Sequence, residues 1–451
     1  MTTGIPTELG TEKISKLLTQ YAIPAIIAMT ASSLYNMVDS IFIGQGVGTY
    51  AIAGLALTFP LMNLGAAFGS LVGVGASAMV SMLLGQKNYE MAQKVLGNVV
   101  VLNVIIGILY MIVTFLFLDD ILYFFGASEQ TLLYAREYMQ IIIAGNVITH
   151  MYFGLNAMLR SSGFPKKAML ATIFTVVINT VLDPIFIYVF EWGIRGAAIA
   201  TVIAQTSALF WILKFYSSKD KLIRLKRGIY KLKSKIVKDI ISIGLSPFLM
   251  NVAACLIVII INKSLKEYGG DLAIGAYGIV NRIGFIFVMI IMGLNQGMQP
   301  IAGYNYGAKQ YDRLVNVLKL TVICATIVST SGFILAELFP SQIASIFTKD
   351  SQLIDISVNG LRIVFMFFPI IGFQIVTSNF FQSIGIAKKA IFLSLTRQLI
   401  FLLPLLLILP PIFEVNGVWM SMAASDLLAS VVAGFMLYYQ IKKFKSYNNG
   451  E

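Results

Sequence analysis

Apolar residues in this chain run in stretches of about 20 to 28 positions, and charged residues gather in short clusters between them. A helix needs roughly 20 residues to cross a hydrocarbon core, so each stretch is a candidate span. The stretches fall near residues 17–43, 52–80, 93–117, 133–155, 166–189, 193–216, 239–262, 273–300, 314–338, 355–380, 389–412 and 416–440. They predict twelve transmembrane helices in an all-α integral membrane protein.

A shift of 222 residues lays the second half of the chain on the first, without gaps over most of its length. LGQKNYEMAQKVL (84–96) overlays YGAKQYDRLVNVL (306–318), matching Gly85 with Gly307, Lys87 with Lys309 and Tyr89 with Tyr311. RSSGFPKKA (160–168) overlays QSIGIAKKA (382–390), matching Ser161 with Ser383 and Gly163 with Gly385. Toward the ends the shift grows slightly: Pro24 meets Pro247, and Gly193 meets Gly417. Six spans per repeat is an even number, so the halves insert with the same orientation, related by an axis along the membrane normal and enclosing a central cavity. The expected organisation is two pseudo-symmetric six-helix bundles, residues 1–216 and 239–451, joined by a basic cytoplasmic linker, 217–238. Duplications of this kind also occur in channels and membrane enzymes, but twin bundles around a cavity recur among alternating-access transporters.

Composition agrees with a life in lipid. Of 451 residues, 58% are hydrophobic and 12% charged, against roughly half and a quarter in soluble domains. The 33 Lys and Arg outnumber 21 Asp and Glu, giving a formal charge of +12. With the N-terminus inside, roughly 25 of the basic residues fall on inner loops and tails, including the run from Lys214 to Lys238, which is the positive-inside pattern. Both termini are therefore expected on the cytoplasmic side of a cytoplasmic membrane. The basic residues are dispersed over separate segments, which suits orientation and contact with membrane lipids and does not suit nucleic-acid binding. No short apolar segment with a small-residue cleavage site precedes the first span, so no cleaved signal peptide is expected. Cys255 and Cys324 lie in predicted spans and imply no disulfide framework, and the single His150 has no partner at metal-ligand spacing. Metalloenzyme chemistry and bound cofactors are not expected.

Only Asp39, Asp183 and Asp426 place a carboxylate clearly inside a span. Each costs a few kcal/mol or more, so each needs a reason. Asp39 lies in SSLYNMVDSIFIG, with Tyr35 four residues earlier and Asn36 three earlier, stacked on the same helical face. Asp183 lies in VINTVLDPIF, with Asn179 four residues back. Both aspartates fall at similar predicted depth. Pro184 removes an N–H and leaves the Thr180 carbonyl short of its helical partner. These groups supply oxygen donors of the kind a hard cation accepts, and two carboxylates so placed are expected to exchange a proton in the working pH range. A purely structural role, each aspartate hydrogen-bonded to its neighbours, is the other reading. Asp426 has Arg397 in the preceding span at similar depth, with Arg282 as another candidate, and reads as a buried structural ion pair rather than a substrate contact. Pro24 and Pro247 sit at matching places in the first helix of each half and predict bends.

Taken in order along the chain, IPAIIAMTASSLYNMVDSIFIG, LGQKNYEMAQ with its echo YGAKQYDR, RSSGFPKKAM, and NTVLDPIFI followed by WGIRGAAIATVIAQ resemble the multidrug and toxic compound extrusion transporters. The resemblance covers essentially the whole chain. It implies a twelve-helix fold whose two six-helix lobes form a V. In that family, aspartates of the first and fifth helices bind the coupling Na⁺ or proton, and the matching positions here are Asp39 and Asp183. The resemblance extends to Asn179 and Thr201 as further cation ligands, and to Tyr35 and Tyr138 as aromatic residues lining the N-lobe pocket beside Asn36. One branch also uses an acidic residue in the seventh helix. Here that helix, FLMNVAACLIVIIINK, has none, so the chain resembles the branch relying on the N-lobe.

What the resemblance implies is antiport. Cation entry neutralises Asp39 and Asp183, hydrogen bonding around them changes, the first helix bends near Pro24, and an organic, cationic compound is released outward. Small organic molecules are the expected substrates, Na⁺ or H⁺ the coupling ion, and a monomer the working form. The rival reading is a flippase for lipid-linked saccharides, on a related fold. Its pyrophosphate-bearing substrate wants a strongly cationic cavity, for which Arg282, Arg362 and Arg397 are the candidates.

Overall fold

The structure, a computed structural model, describes residues 7–448; the extreme termini, for which a cytoplasmic location is expected, lie outside the described residues. Every described element is helical. Among the described residues nine helices are long and apolar enough to span a membrane, and counting each of two bent pairs as one span raises this to eleven. The bent pairs are Glu129–Ala144 with Asn146–Ser161, at 55°, and Ser351–Phe365 with Phe368–Ser383, at 53°. The helix Ser234–Gly307, 74 residues long, breaks at Gly270, where φ 66 and ψ −162 leave the helical region. Each arm is about as long as Thr49–Gly85, so separating them restores the twelve spans that hydropathy predicts.

The duplication is written into the backbone as well as the sequence. Lys87 and Lys309 both take the left-handed conformation, at φ 59 and 58, in the turns after Gly85 and Gly307. Left-handed backbone is unusual for a residue with a Cβ. Glu191 and Glu414 repeat the device at φ 56 and 51, and Gly163 and Gly385 at φ 97 and 72. Local capping starts several helices: Asn88 accepts a hydrogen bond from the Met91 N–H, Ser128 and Thr131 form a capping box, and Asp350 accepts from the N–H groups of Gln352 and Leu353.

Two compact units follow the repeats, except that each takes a half-helix from the other. One comprises Ile27–Phe248 and the other Gly10–Ile26 together with Leu249–Glu451. Glycine makes both exchanges close. In the first unit a Cβ on Gly244 would come within 1.7 Å of the Leu71 carbonyl oxygen, and one on Gly75 within 2.0 Å of that of Ile240. In the second, Cβ atoms on Gly297 and Gly293 would meet the Cα atoms of Ala22 and Ile26 at 2.6 and 2.7 Å. Leu71 and Gly75 correspond to Gly293 and Gly297 at the 222-residue offset, so one small-residue contact is used twice.

The segment 217–238 is seated on the first unit rather than hanging free. The Gln93 side-chain amide accepts from the Arg224 N–H at 3.1 Å and donates to the Arg224 carbonyl. Asn98 accepts from the Lys233 N–H at 2.9 Å and donates to the Lys231 carbonyl at 3.3 Å. Gly97, between them, leaves room for the Ile229 backbone. Ile223 and Ile229 are buried, while Lys219, Lys226, Arg227, Lys231, Lys233 and Lys235 face outward.

Candidate functional site

Three segments of the first unit converge on Asp39. The helix Pro165–Pro184 ends at the proline predicted to disturb it, and the chain continues as a π-helical turn, Ile185–Val189. Such turns arise where the helical hydrogen-bond ladder is interrupted, here just after a residue without an N–H. The turn serves as a junction. Tyr188 donates to the Phe42 carbonyl at 3.2 Å, three residues beyond Asp39, and Gly46 leaves space for Ile187 and Tyr188. On its other side Gly196 comes close to the Phe186 carbonyl, which brings up the helix Gly193–Ser217 and with it Thr201.

Asp39 is 5% exposed and Asp183 fully buried, and their carboxyl groups lie close enough to interact directly. Neither Asp183 oxygen has a hydrogen-bond partner, nor does Oδ1 of Asp39 or Oδ1 of Asn179. Beside them runs a short chain of neutral groups. The Tyr35 hydroxyl lies 3.0 Å from the Thr201 hydroxyl, and Asn179 Nδ2 donates to Thr201 Oγ1 at 3.2 Å. Tyr138, buried on the helix Glu129–Ala144, stands within electrostatic reach of Asp39, Asp183 and Tyr35. Thus Asp39, Asp183, Asn179, Thr201, Tyr35 and Tyr138 are brought together. Asn36 is not: it is exposed, and its carbonyl accepts from Ser40 within its own helix. Pro24 is buried inside the continuous helix Ile14–Gly46, two residues before Ile26, where the helix passes from one compact unit to the other.

Four oxygens without partners, two carboxylates among them, are the donor set of a hard cation or of protons. Leaving them unmatched in a low-dielectric interior is costly, so the arrangement calls for a positive species. Among the described residues no three His, Cys, Asp or Glu gather into a metal cluster.

Asp426 behaves differently. Arg397 Nε donates to its Oδ1, so this carboxylate is matched by a charge. Arg282 and Arg362 are exposed. The Arg397 segment is itself π-helical, Thr396–Leu402. A further polar cluster escaped sequence reasoning: His150 Nε2 lies 2.9 Å from the Gly65 carbonyl, Tyr110 donates to the Leu61 carbonyl at 2.7 Å, and Asn103 packs against Gly154. Its signal was faint, single polar residues on otherwise apolar helices. Cys255 and Cys324 are free and partly buried.

A duplicated helical membrane protein whose first half holds a buried acidic pair has the organisation that recurs among alternating-access transporters. The sequence matches the MatE family twice, over residues 24–185 and 247–408, and the chain belongs to that family. It is 25% identical over 425 residues to the multidrug export protein MepA of Staphylococcus aureus (strain MSSA476), covering 94% of each chain. Among solved structures it is similar to a MATE in the bent conformation, with TM-score 0.93, 25% identity and 99% of each chain covered. It is also similar to a MATE in the straight conformation, with TM-score 0.91, 25% identity, and 99% of this chain and 100% of that one covered.

Proposed function

We propose that this protein is a cation-coupled antiporter, driven by Na⁺ or H⁺, that exports organic cationic drugs across the cytoplasmic membrane by alternating access. The observation that carries the reading is the facing pair Asp39 and Asp183 with its unpartnered oxygens. Binding of the ion or proton neutralises the pair, with Asn179 and Thr201 completing the oxygen set. Because Tyr35 and Asp39 sit one turn apart on the first helix and Thr201 on another, a change at the carboxylates is felt at the Tyr35–Thr201 contact. The first helix then bends near Pro24, where a proline already weakens its ladder. Relatives solved in bent and straight conformations support two states of such a fold. Bias between the states comes from the ion's different affinity for each. The export of drugs by a relative similar along nearly the whole chain supports the substrate class. The flippase alternative draws less support, because Arg397 is already engaged by Asp426. A monomer with both termini cytoplasmic completes the proposal.

The test is efflux of a fluorescent organic cation from vesicles bearing the purified protein, with Na⁺ and pH gradients imposed separately. Efflux driven by one gradient and lost in Asp39→Asn supports antiport and identifies the ion. Gradient-driven efflux retained by both Asp39→Asn and Asp183→Asn overturns it.

A further inference from the structure

A second set of unpartnered polar groups lies at the opposite end of the helix that carries Asp183, under the basic linker. Gly163, at φ 97, turns the chain between the helices Asn146–Ser161 and Pro165–Pro184. Ser162 in this turn is 5% exposed, and its hydroxyl has no partner. Tyr216, near the end of the helix Gly193–Ser217, is fully buried, and its hydroxyl also has none. Both line a small, partly open notch, together with Leu84 and Phe164 and with Lys221, Leu222 and Ile223 of the linker. Lys221 crosses it with its ammonium 5.2 Å from the Phe215 ring centre and 5.9 Å from that of Phe164, and donates to exposed Asp220 at 2.5 Å.

The helix Pro165–Pro184 begins here without a side-chain cap. Its first-turn N–H groups and positive dipole end favour an anion. Lys166 and Lys167 are exposed in the same turn, and Tyr230 and Leu232 are exposed beside the linker's basic residues, a mixture suited to headgroup level. The turn itself does not require hydroxyls. In the second repeat Ile384 occupies the place of Ser162 and is buried, Ile386 that of Phe164, and Lys389 is taken up by Gln440 at 2.7 Å. Of the two turns, the one beside the linker carries the buried hydroxyls without partners.

We propose that this notch binds a phosphate group, supplied by the headgroup of an anionic phospholipid, with an oxygen held by the Ser162 and Tyr216 hydroxyls and the Lys221 ammonium. Bound lipid would fasten the linker to the turn. The proposal does not rest on the transport reading.

Native mass spectrometry of the full chain in detergent, titrated with phosphatidylglycerol or phosphatidylcholine, tests it. Phosphatidylglycerol is expected to be retained preferentially, and Ser162→Ala with Tyr216→Phe to lower that preference about tenfold. Lys226→Gln with Arg227→Gln, which thins the surface charge and leaves the notch intact, should keep most of it. If the hydroxyl variant fails to fold, Lys221→Gln replaces it. A parallel arm measures melting in inorganic phosphate against chloride at equal ionic strength. Stabilisation by phosphate that is lost in the hydroxyl variant, with no preference between lipids, retains the oxyanion site and overturns the lipid as its source. Equal lipid preference in the wild type and the hydroxyl variant, lowered by Lys226→Gln with Arg227→Gln, overturns the site in favour of diffuse attraction.

Discussion

At Gly145 the first repeat bends its fourth span by 55°, and at the matching place, before Phe368, the second bends by 53°. The angles agree while the chemistry does not. Beside the first bend lie Asn146, His150 and Asn103; the second repeat sets Phe368, Gly372 and Ala325 at the same offset, with the Ser329 hydroxyl 2.9 Å from the Pro369 carbonyl. The acidic site diverges in the same way. Asp39 is matched by Asn262, and Asp183 by Leu405. The second repeat's own intramembrane carboxylate, Asp426, is matched by Arg397. Duplication preserved the backbone path, which depends on apolar volume and glycine contacts, and released the polar positions, which depend on what each half must bind.

The comparison breaks most sharply at the aspartates. Asp39→Asn or Asp183→Asn is expected to abolish gradient-driven efflux, whereas Asn262→Asp should leave coupling unchanged, as vesicle transport would show. Next in size, Arg397→Leu leaves Asp426 buried without its cation and should cost about 3–5 kcal/mol, while Arg397→Leu with Asp426→Leu recovers most of it. Melting temperatures of the purified variants decide this. Gly75→Val should cost about 1–3 kcal/mol or more through backbone collision, whereas Gly278→Ala, inside a helix where a Cβ meets nothing within 4 Å, should stabilise by up to about 1 kcal/mol. Among the destabilising changes the smallest is Asn98→Ala, about 1 kcal/mol, seen as faster tryptic cleavage between Lys219 and Lys235 with the spans intact.

Hydropathy and the 222-residue offset made the spans and the repeat legible, because lipid tolerates few charges. Asp39, Asp183, Asn179, Thr201, Tyr35 and Tyr138 were legible partly as polar residues in apolar helices and partly through resemblance. Asn36 shows the limit. A spacing of three residues puts it roughly on the face of Asp39, yet the neighbours that decide burial come from other helices. The bend at Gly145 was hidden because no proline marks it. The π-helical turn after Pro184 was foreshadowed only by the missing N–H, and the clamp of Gln93 and Asn98 on the linker depends on contacts more than 130 residues apart.

The exchanged half-helices constrain the order in which the chain matures. Ala22 and Ile26 leave the ribosome roughly 270 residues ahead of Gly297 and Gly293, the glycines that seat them. The first unit in turn waits for Ile240 and Gly244 to cover Gly75 and Leu71. A nascent chain stalled after its sixth span would therefore hold two unfilled seams, and membrane chaperones or quality-control proteases would find their handle there.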